Sequence, residues 1–482
     1  MNTNQLKRFA QEARRKLLEQ VGAKLNFVLT TDSAELREKT EQLKQLRQEL
    51  GRTTKEQLIE KVAYTWFNRL MALRFMDVND YQPLGIRIIT PKDGYTIPEL
   101  LDEAKRGNIP EELKVNRQKI YDLLDNKIPS TNPQNEAYKE LLIATCNYLS
   151  TTFSFLFEKI NDYTELLLPD DLTSDFSILK DVRDGMLVEE CVNVEIIGWL
   201  YQFYISEEKE RLINAKQTYK ANEIATVTQL FTPKWIVQYI VENTLAQFWR
   251  EARPTTNIIK ELQFYIKPKD DSIISKRNIK SPEEIKLFDP CVGSAHILCY
   301  AFDILYKIYE EEGYSSNEIP TLIINKNLFG CDIDERATQL AGFALMMKAR
   351  HYNRRVLTKN ITPNIMAFKN IESHRKFKNA ELFGSLIKLE EEDFNSIEVE
   401  SDSIFSVNQS YLKKQASFLV NKYDILVTNP PYLNSAYMEG RLKQFIDSEY
   451  KTTKSDLFSC FIMQATWLTK KEGIIGLLSP FV

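Results

Sequence analysis

From Thr226 onward, short apolar runs that end in Asp, Gly or Asn alternate with stretches of helical periodicity. The runs fall at 285–288, 328–331, 424–427 and 474–478. Strands buried on both faces read as continuous apolar runs, and a helix between two of them returns the chain so that the strands lie parallel. The pattern predicts an α/β fold, a doubly wound parallel sheet covered by helices, with ligands bound beyond the carboxyl ends of the strands. Chemistry is to be sought at those ends.

The first part of the chain reads differently. Apolar residues recur at intervals of three and four from Asn4 to Met76, as in Leu36, Leu43, Leu46 and Leu50, then Leu58, Val62, Phe67, Leu70 and Leu73. Gly51-Arg52-Thr53-Thr54 interrupts the pattern, and Thr54 followed by Gln57 has the spacing of a capping box, so two or three helices are expected. Heptads are not sustained, which favours ordinary helix packing over a coiled coil. Pro83, Pro91, Gly94 and Pro98 mark 81–108 as a turn-rich connection. Helical periodicity then runs from Glu111 to about Phe157 with a break at 129–133, and 188–204 reads as a buried helix. A chain of 482 residues exceeds what one hydrophobic core organises. A mostly helical N-terminal domain is placed at 1–215 and a catalytic domain at 216–482.

Composition narrows the function classes. Hydrophobic residues make up 43% and charged residues 27%, a mixture suited to a folded soluble protein. The net charge of −4 excludes a surface that is basic throughout, so nucleic-acid binding would use a local basic face. Six cysteines without a C-x-x-C pair, and three histidines, give neither a disulfide framework nor a zinc site, and no metal is expected. The polar N-terminus and the absence of any run of ~18 apolar residues predict a cytoplasmic protein without a membrane segment.

The strongest chemical signal is Asn429-Pro430-Pro431-Tyr432, directly after an apolar strand. An aromatic amino group delocalises its lone pair into the ring and is a poor nucleophile until that pair is localised. The side-chain oxygen of Asn429 and the carbonyl of Pro430 can accept its two N–H bonds, favouring a pyramidal nitrogen. Tyr432 offers a face for a planar base, and the prolines stiffen the loop. The bland alternative is a turn after a strand. Upstream, Asp289-Pro290-Cys291-Val292-Gly293-Ser294-Ala295-His296 joins the first strand to a helix; small residues there let backbone N–H groups approach a ligand, and the helix N-terminus suits a carboxylate. It lacks the glycine pattern of dinucleotide sites and the Gly-Lys-Ser/Thr of phosphate loops. In Leu328-Phe329-Gly330-Cys331-Asp332-Ile333-Asp334 the second strand ends in acid, where Asp332 can accept both hydroxyls of a ribose, while Asp334 suits a helix cap. Phe231-Thr232-Pro233-Lys234 reads locally as a capped helix start, with Thr232 as the cap and Pro233 in the first turn.

These four segments, in this order, resemble the amino-methyltransferases of restriction and phage-defence systems. The resemblance implies that Thr232, Asp289, Gly293 and Ser294 hold the methionine part of S-adenosylmethionine, that Asp332 holds its ribose, and that Asn429, Pro430, Pro431 and Tyr432 hold the target base. Two further stretches, 62–77 (VAYTWFNRLMALRFMD) and 195–206 (EIIGWLYQFYIS), are similar to the N-terminal part of the BREX phage-defence adenine-specific DNA methyltransferases. That family implies methylation of N6 of an adenine flipped out of double-stranded DNA, alongside other BREX proteins. Ala295 stands where related enzymes often have Gly, which costs about 1–2 kcal/mol if the backbone there is left-handed. The family's sheet continues for two more strands and into a target-recognition domain, so the catalytic domain is expected to be incomplete at its C-terminus. The family's acid against the cofactor's adenine ring has no assignable counterpart between Pro363 and Asp393.

Three rival functions stay open: methyl transfer to protein glutamine, to RNA or to N4 of cytosine; a nuclease fusion suggested by Pro169-Asp170 and Glu207-Glu208-Lys209; and a non-catalytic, partner-binding fragment.

Overall fold

The computed structural model describes residues 3–157, 163–269, 277–397 and 406–480. They form two compact units, Met1–Ser206 and Glu207–Val482.

In the first unit every described regular element is helical. Helix Thr3–Thr30 buries Leu6, Ala10, Ala13, Leu17, Val21, Leu25 and Val28, a stripe at helical spacing, and packs against helix Lys55–Val78. The latter starts at the Thr54 and Gln57 capping box and is buried on all sides from Val62 onward except at a few positions, which makes it the centre of the unit. Its buried Asp77 accepts hydrogen bonds from the amides of Ile88 (2.9 Å), Ile89 (2.8 Å) and Thr90 (2.9 Å) and from Gln82 Nε2 (2.7 Å). One carboxylate thereby organises the turn-rich stretch, which itself contains a short helix, Glu99–Lys105. The buried helix expected at 188–204 begins only at Glu195; Val188 and Val192 are exposed in the turns before it.

In the second unit five strands form one parallel sheet in the order β3-β2-β1-β4-β5: β1 Leu287–Asp289, β2 Leu328–Asp332, β3 Asn364–Ala367, β4 Tyr423–Thr428 and β5 Thr469–Leu477. β1 and β4 are buried throughout, as their mainly apolar sequences require, and the buried Asp424 of β4 accepts from the Lys286 amide (3.0 Å) and Lys470 Nζ (2.8 Å). β3 matches none of the apolar runs that predicted the other strands. β5 starts earlier than expected, its polar opening Lys470-Lys471-Glu472 lying in exposed positions. Phe288, Met366 and Tyr423 of the sheet join Leu412 and Leu419 of helix Ser406–Val420 and Leu468 of helix Leu457–Leu468 in a single core, with the rings of Phe288 and Tyr423 stacked at 4.3 Å. Helices His296–Glu311 and Glu335–Tyr352 follow β1 and β2 and pack on each other. Buried Asn327 donates to the carbonyls of Pro282 and Ile285 and accepts from Tyr309, fixing the entries of β1 and β2 side by side. All six cysteines are free thiols, and among the described residues no helix is long and apolar enough to cross a membrane.

Candidate active site

The loops leaving β1, β2 and β4 meet beyond the carboxyl edge of the sheet. After β1 the chain turns through Gly293 at φ +50° and Ala295 at φ +63°, ψ 30°, and enters helix His296–Glu311. Gly293 tolerates the left-handed region freely. Ala295, fully buried, bears the strain foreseen for it, about 1–2 kcal/mol.

The Gly293 amide donates to Asp332 Oδ2 at 2.9 Å, and the Asp334 amide donates to Oδ1 at 3.0 Å, so the β2 carboxylate is clasped by both loops. Asp334 caps helix Glu335–Tyr352 through the Arg336 amide. Asp289 is 1% exposed and accepts from the Cys291 amide at 3.1 Å. Burial, with the negative neighbour Asp332 adding to it, pushes the Asp289 carboxyl up to about 7. Burial, with Asp334 adding, pushes Asp332 up to about 6. Two crowded carboxyls with little positive charge nearby suit a ligand that brings hydroxyl donors or a cationic centre.

At the end of β4, Asn429 Nδ2 donates to Thr232 Oγ at 3.0 Å. Asn429 Oδ1 accepts from the Tyr432 hydroxyl at 2.7 Å, and that hydroxyl also lies 3.1 Å from the carbonyl of Leu478, just past β5. The loop is pinned downstream by Asp456, which accepts from the Leu433 amide at 3.0 Å while capping helix Leu457–Leu468. The Tyr432 ring meets Phe458 edge-on at 6.0 Å. Thr232 is not the helix cap expected of it. Helix Lys234–Val241 is capped by the backbone of Pro233, one residue later, because the Thr232 hydroxyl is taken by Asn429.

A cleft of about 950 Å³, open mouth included, joins these parts. Of the nine residues singled out from sequence, Thr232, Asp289, Gly293, Ser294, Asp332, Asn429 and Pro431 line it; buried Pro430 and half-buried Tyr432 stand outside its wall. The other walls carried no local signal. One is the segment 382–386, held by Ser385 Oγ donating to the Pro290 carbonyl (2.7 Å), Gln464 donating to the Ser385 carbonyl (2.8 Å) and Tyr450 donating to the Leu386 carbonyl (2.6 Å). It faces Ile333 across Gly384, which sits at φ +51° and whose Cβ would come within 2.7 Å of Ile333 Cγ2. Another is His296, whose ring lies 4.2 Å from that of Phe231; burial, with Lys234 nearby, holds its imidazole neutral, down to about 4.

No acid reaches the cleft from the end of β3. Phe368 is core, Lys369 pairs with Glu335 at 2.6 Å, and Asn370 bonds Glu381 at 3.0 Å. Asp289 and Asp332 are the acids of the cleft among the described residues. Those residues also contain no group of three His, Cys, Asp or Glu side chains able to hold a metal ion.

The strand order, the acid ending β2 and the Asn-Pro-Pro-Tyr loop after β4 define an α/β methyltransferase fold. Residues 326–482 match the family described as the Eco57I restriction-modification methylase. The chain is similar to curated adenine-specific methyltransferases: it is 34% identical to "Adenine-specific methyltransferase BrxX" of Escherichia coli O9:H4 (strain HS), over 98% of this chain and 46% of that one. It is 33% identical to "Adenine-specific methyltransferase PglX" of Lacticaseibacillus casei (strain Zhang), over 99% of this chain and 47% of that one. The "Type II restriction enzyme and methyltransferase RM.Eco57I" of Escherichia coli is 25% identical over 59% of this chain and 26% of that protein. The chain thus spans about half the length of the BrxX and PglX relatives.

Proposed function

We propose that the chain provides the catalytic core of an S-adenosylmethionine-dependent methyltransferase acting on N6 of adenine in DNA, in a BREX or restriction-modification setting with partner proteins of that system. The observation that carries this reading is the single cleft in which the clasped carboxylate of Asp332 and the Gly293-Ser294 loop lie on one side and Asn429 on the other. The donor set fits the cofactor. Asp332 retains lone pairs for two ribose hydroxyls, the 382–386 wall with Ile333 offers apolar surface for a purine, and Thr232 and Ser294 offer hydroxyls to an amino-acid end. When bound, S-adenosylmethionine supplies a methyl group on a positively charged sulfur, already a good leaving group.

The protein's own part is positioning and charge placement. Asn429 Oδ1 and the Pro430 carbonyl accept the two N–H bonds of the target amine, which turns its lone pair out of the ring. Tyr432, just outside the wall, supports the flipped base by stacking, worth ~1–3 kcal/mol. The negative charge of Asp332, with that of Asp289 in the fraction ionised at neutral pH, favours a cationic sulfur near them. The extra proton on the methylated nitrogen passes to solvent.

The test is incubation of the chain with methyl-labelled cofactor and adenine-containing DNA, followed by nucleoside analysis, beside Asn429→Ala. Label in N6-methyladenine, lost in the variant, supports the reading. Label in N4-methylcytosine, RNA or protein, or retained in the variant, overturns it.

A further inference from the structure

Thr232 is 6% exposed and lines the cleft. Its oxygen accepts from Asn429 Nδ2, yet its own proton is donated to no acceptor among the described residues. The consequence concerns which end of the Asn429 amide faces the target. Only the oxygen end can accept from an amine; the nitrogen end would oppose N–H with N–H.

Turned over about its Cβ–Cγ bond, the amide remains bonded. Its oxygen then takes the Thr232 proton, and its NH₂ donates to the Tyr432 hydroxyl, which gives its single proton to the Leu478 carbonyl 3.1 Å away. With the Thr232 proton free to serve either setting, neither end of the amide is strongly preferred. A hydroxyl has one proton. Once an anionic acceptor in the cleft takes it, Thr232 shows Asn429 only lone pairs, the inverted amide would set oxygen against oxygen, and the setting with the oxygen facing away from Thr232 prevails.

We propose that Thr232 is a positioning residue that reports the presence of a carboxylate in the cleft to Asn429, so that the base-binding end becomes competent only when the cofactor's amino-acid end is seated. This rests on the reading of the cleft as a cofactor site. A hydrogen bond to a charged group, gained in one setting and unavailable in the other, biases the amide on the order of tenfold.

The experiment measures anisotropy of a fluorescein-labelled oligodeoxyadenylate on the whole chain, with and without saturating S-adenosylhomocysteine or its decarboxylated analogue. Wild type should bind the oligonucleotide roughly tenfold more tightly with S-adenosylhomocysteine and show no gain with the analogue. T232V, checked by its melting temperature to be folded, should bind equally with and without S-adenosylhomocysteine, and T232S should restore the gain. An undiminished gain in T232V, an equal gain with the decarboxylated analogue, or no gain in a wild type that binds S-adenosylhomocysteine overturns the role of Thr232 alone. A folded wild type that does not bind S-adenosylhomocysteine overturns the reading of the cleft, and this proposal with it.

Discussion

Replacing Asp332 by Asn separates what its carboxylate does for stability from what it does for binding. In the folded chain the group titrates at about 6, above its ordinary 3.8. The folded form therefore holds an extra proton between those values, and stability falls as pH rises through that window and stays lower above it. A shift of this size corresponds to ~3 kcal/mol at most; solvent at the rim and the charge shared with Asp289 reduce it to roughly 1–3 kcal/mol. The introduced amide does not titrate, but its NH₂ must face one of the two backbone amides that Asp332 now satisfies, Gly293 at 2.9 Å or Asp334 at 3.0 Å, at a cost of about 1 kcal/mol. The variant should melt below wild type at pH 4.5, and the gap should close or reverse by pH 8. At ~2 °C per kcal/mol for a unit of this size, the movement is roughly 2–6 °C. Calorimetric melts of both proteins across that range at fixed ionic strength measure it. A gap that stays flat to within about 1 °C, or that widens with pH, would refute the picture of a destabilised carboxylate awaiting donors.

Four further outcomes follow from the same geometry. Affinity for S-adenosylhomocysteine should weaken as pH falls below about 6, where Asp332 takes up a proton, by up to roughly tenfold per pH unit, and titration calorimetry in buffers of different ionisation enthalpy should register the linked proton. Gly384→Ala puts a Cβ at φ +51° within 2.7 Å of Ile333 Cγ2 and should weaken the same binding about tenfold or more. Ala295→Gly should leave stability unchanged or raise it by up to about 1 kcal/mol in denaturant titrations, whereas Ala295→Val, β-branched at φ +63°, should cost more than ~2 kcal/mol. Asp77→Ala strands the amides of Ile88, Ile89 and Thr90 and should destabilise the Met1–Ser206 unit by roughly 3–5 kcal/mol, visible as a lowered melting transition.

The legible part of this protein is the part whose chemistry is local. β1, β2 and β4 announce themselves because burial on both faces demands mainly apolar runs, and the acid or amide that ends each run marks the sheet's carboxyl edge. β3 is hidden. Its four residues, Asn-Ile-Met-Ala, follow Pro363 at the sheet's margin and open on a polar residue, so neither a continuous apolar run nor an acid or amide at its end separates it from a loop. The polar opening of β5 misleads for the same reason, since solvent-facing Lys470, Lys471 and Glu472 are indifferent to sheet or turn. In the site, the motif residues could be listed from sequence, but the wall at 382–386 could not. It contributes apolar surface and a backbone held by Tyr450 and Gln464, whose identities carry no periodic or motif signal. The misplaced helix cap has a tertiary cause. Local preference favours Thr232, and a partner 197 residues away claims its hydroxyl instead.

The strand order also sets a sequence of events during folding. β1, the middle strand, pairs on one side with β2, Leu287 opposite Leu328, and on the other with β4, Leu287 opposite Ile425. Closing the longer of these loops costs about 1 kcal/mol more chain entropy than closing the shorter one. On a ribosome, moreover, β4 emerges long after β1 to β3 are complete. The half of the sheet that presents Asp289 and Asp332 can thus form as a nucleus while Asn429 is still unmade, and a nascent chain stalled before β4 would expose one flank of β1 as an unpaired edge, the point at which a chaperone or a neighbouring chain would intercept it.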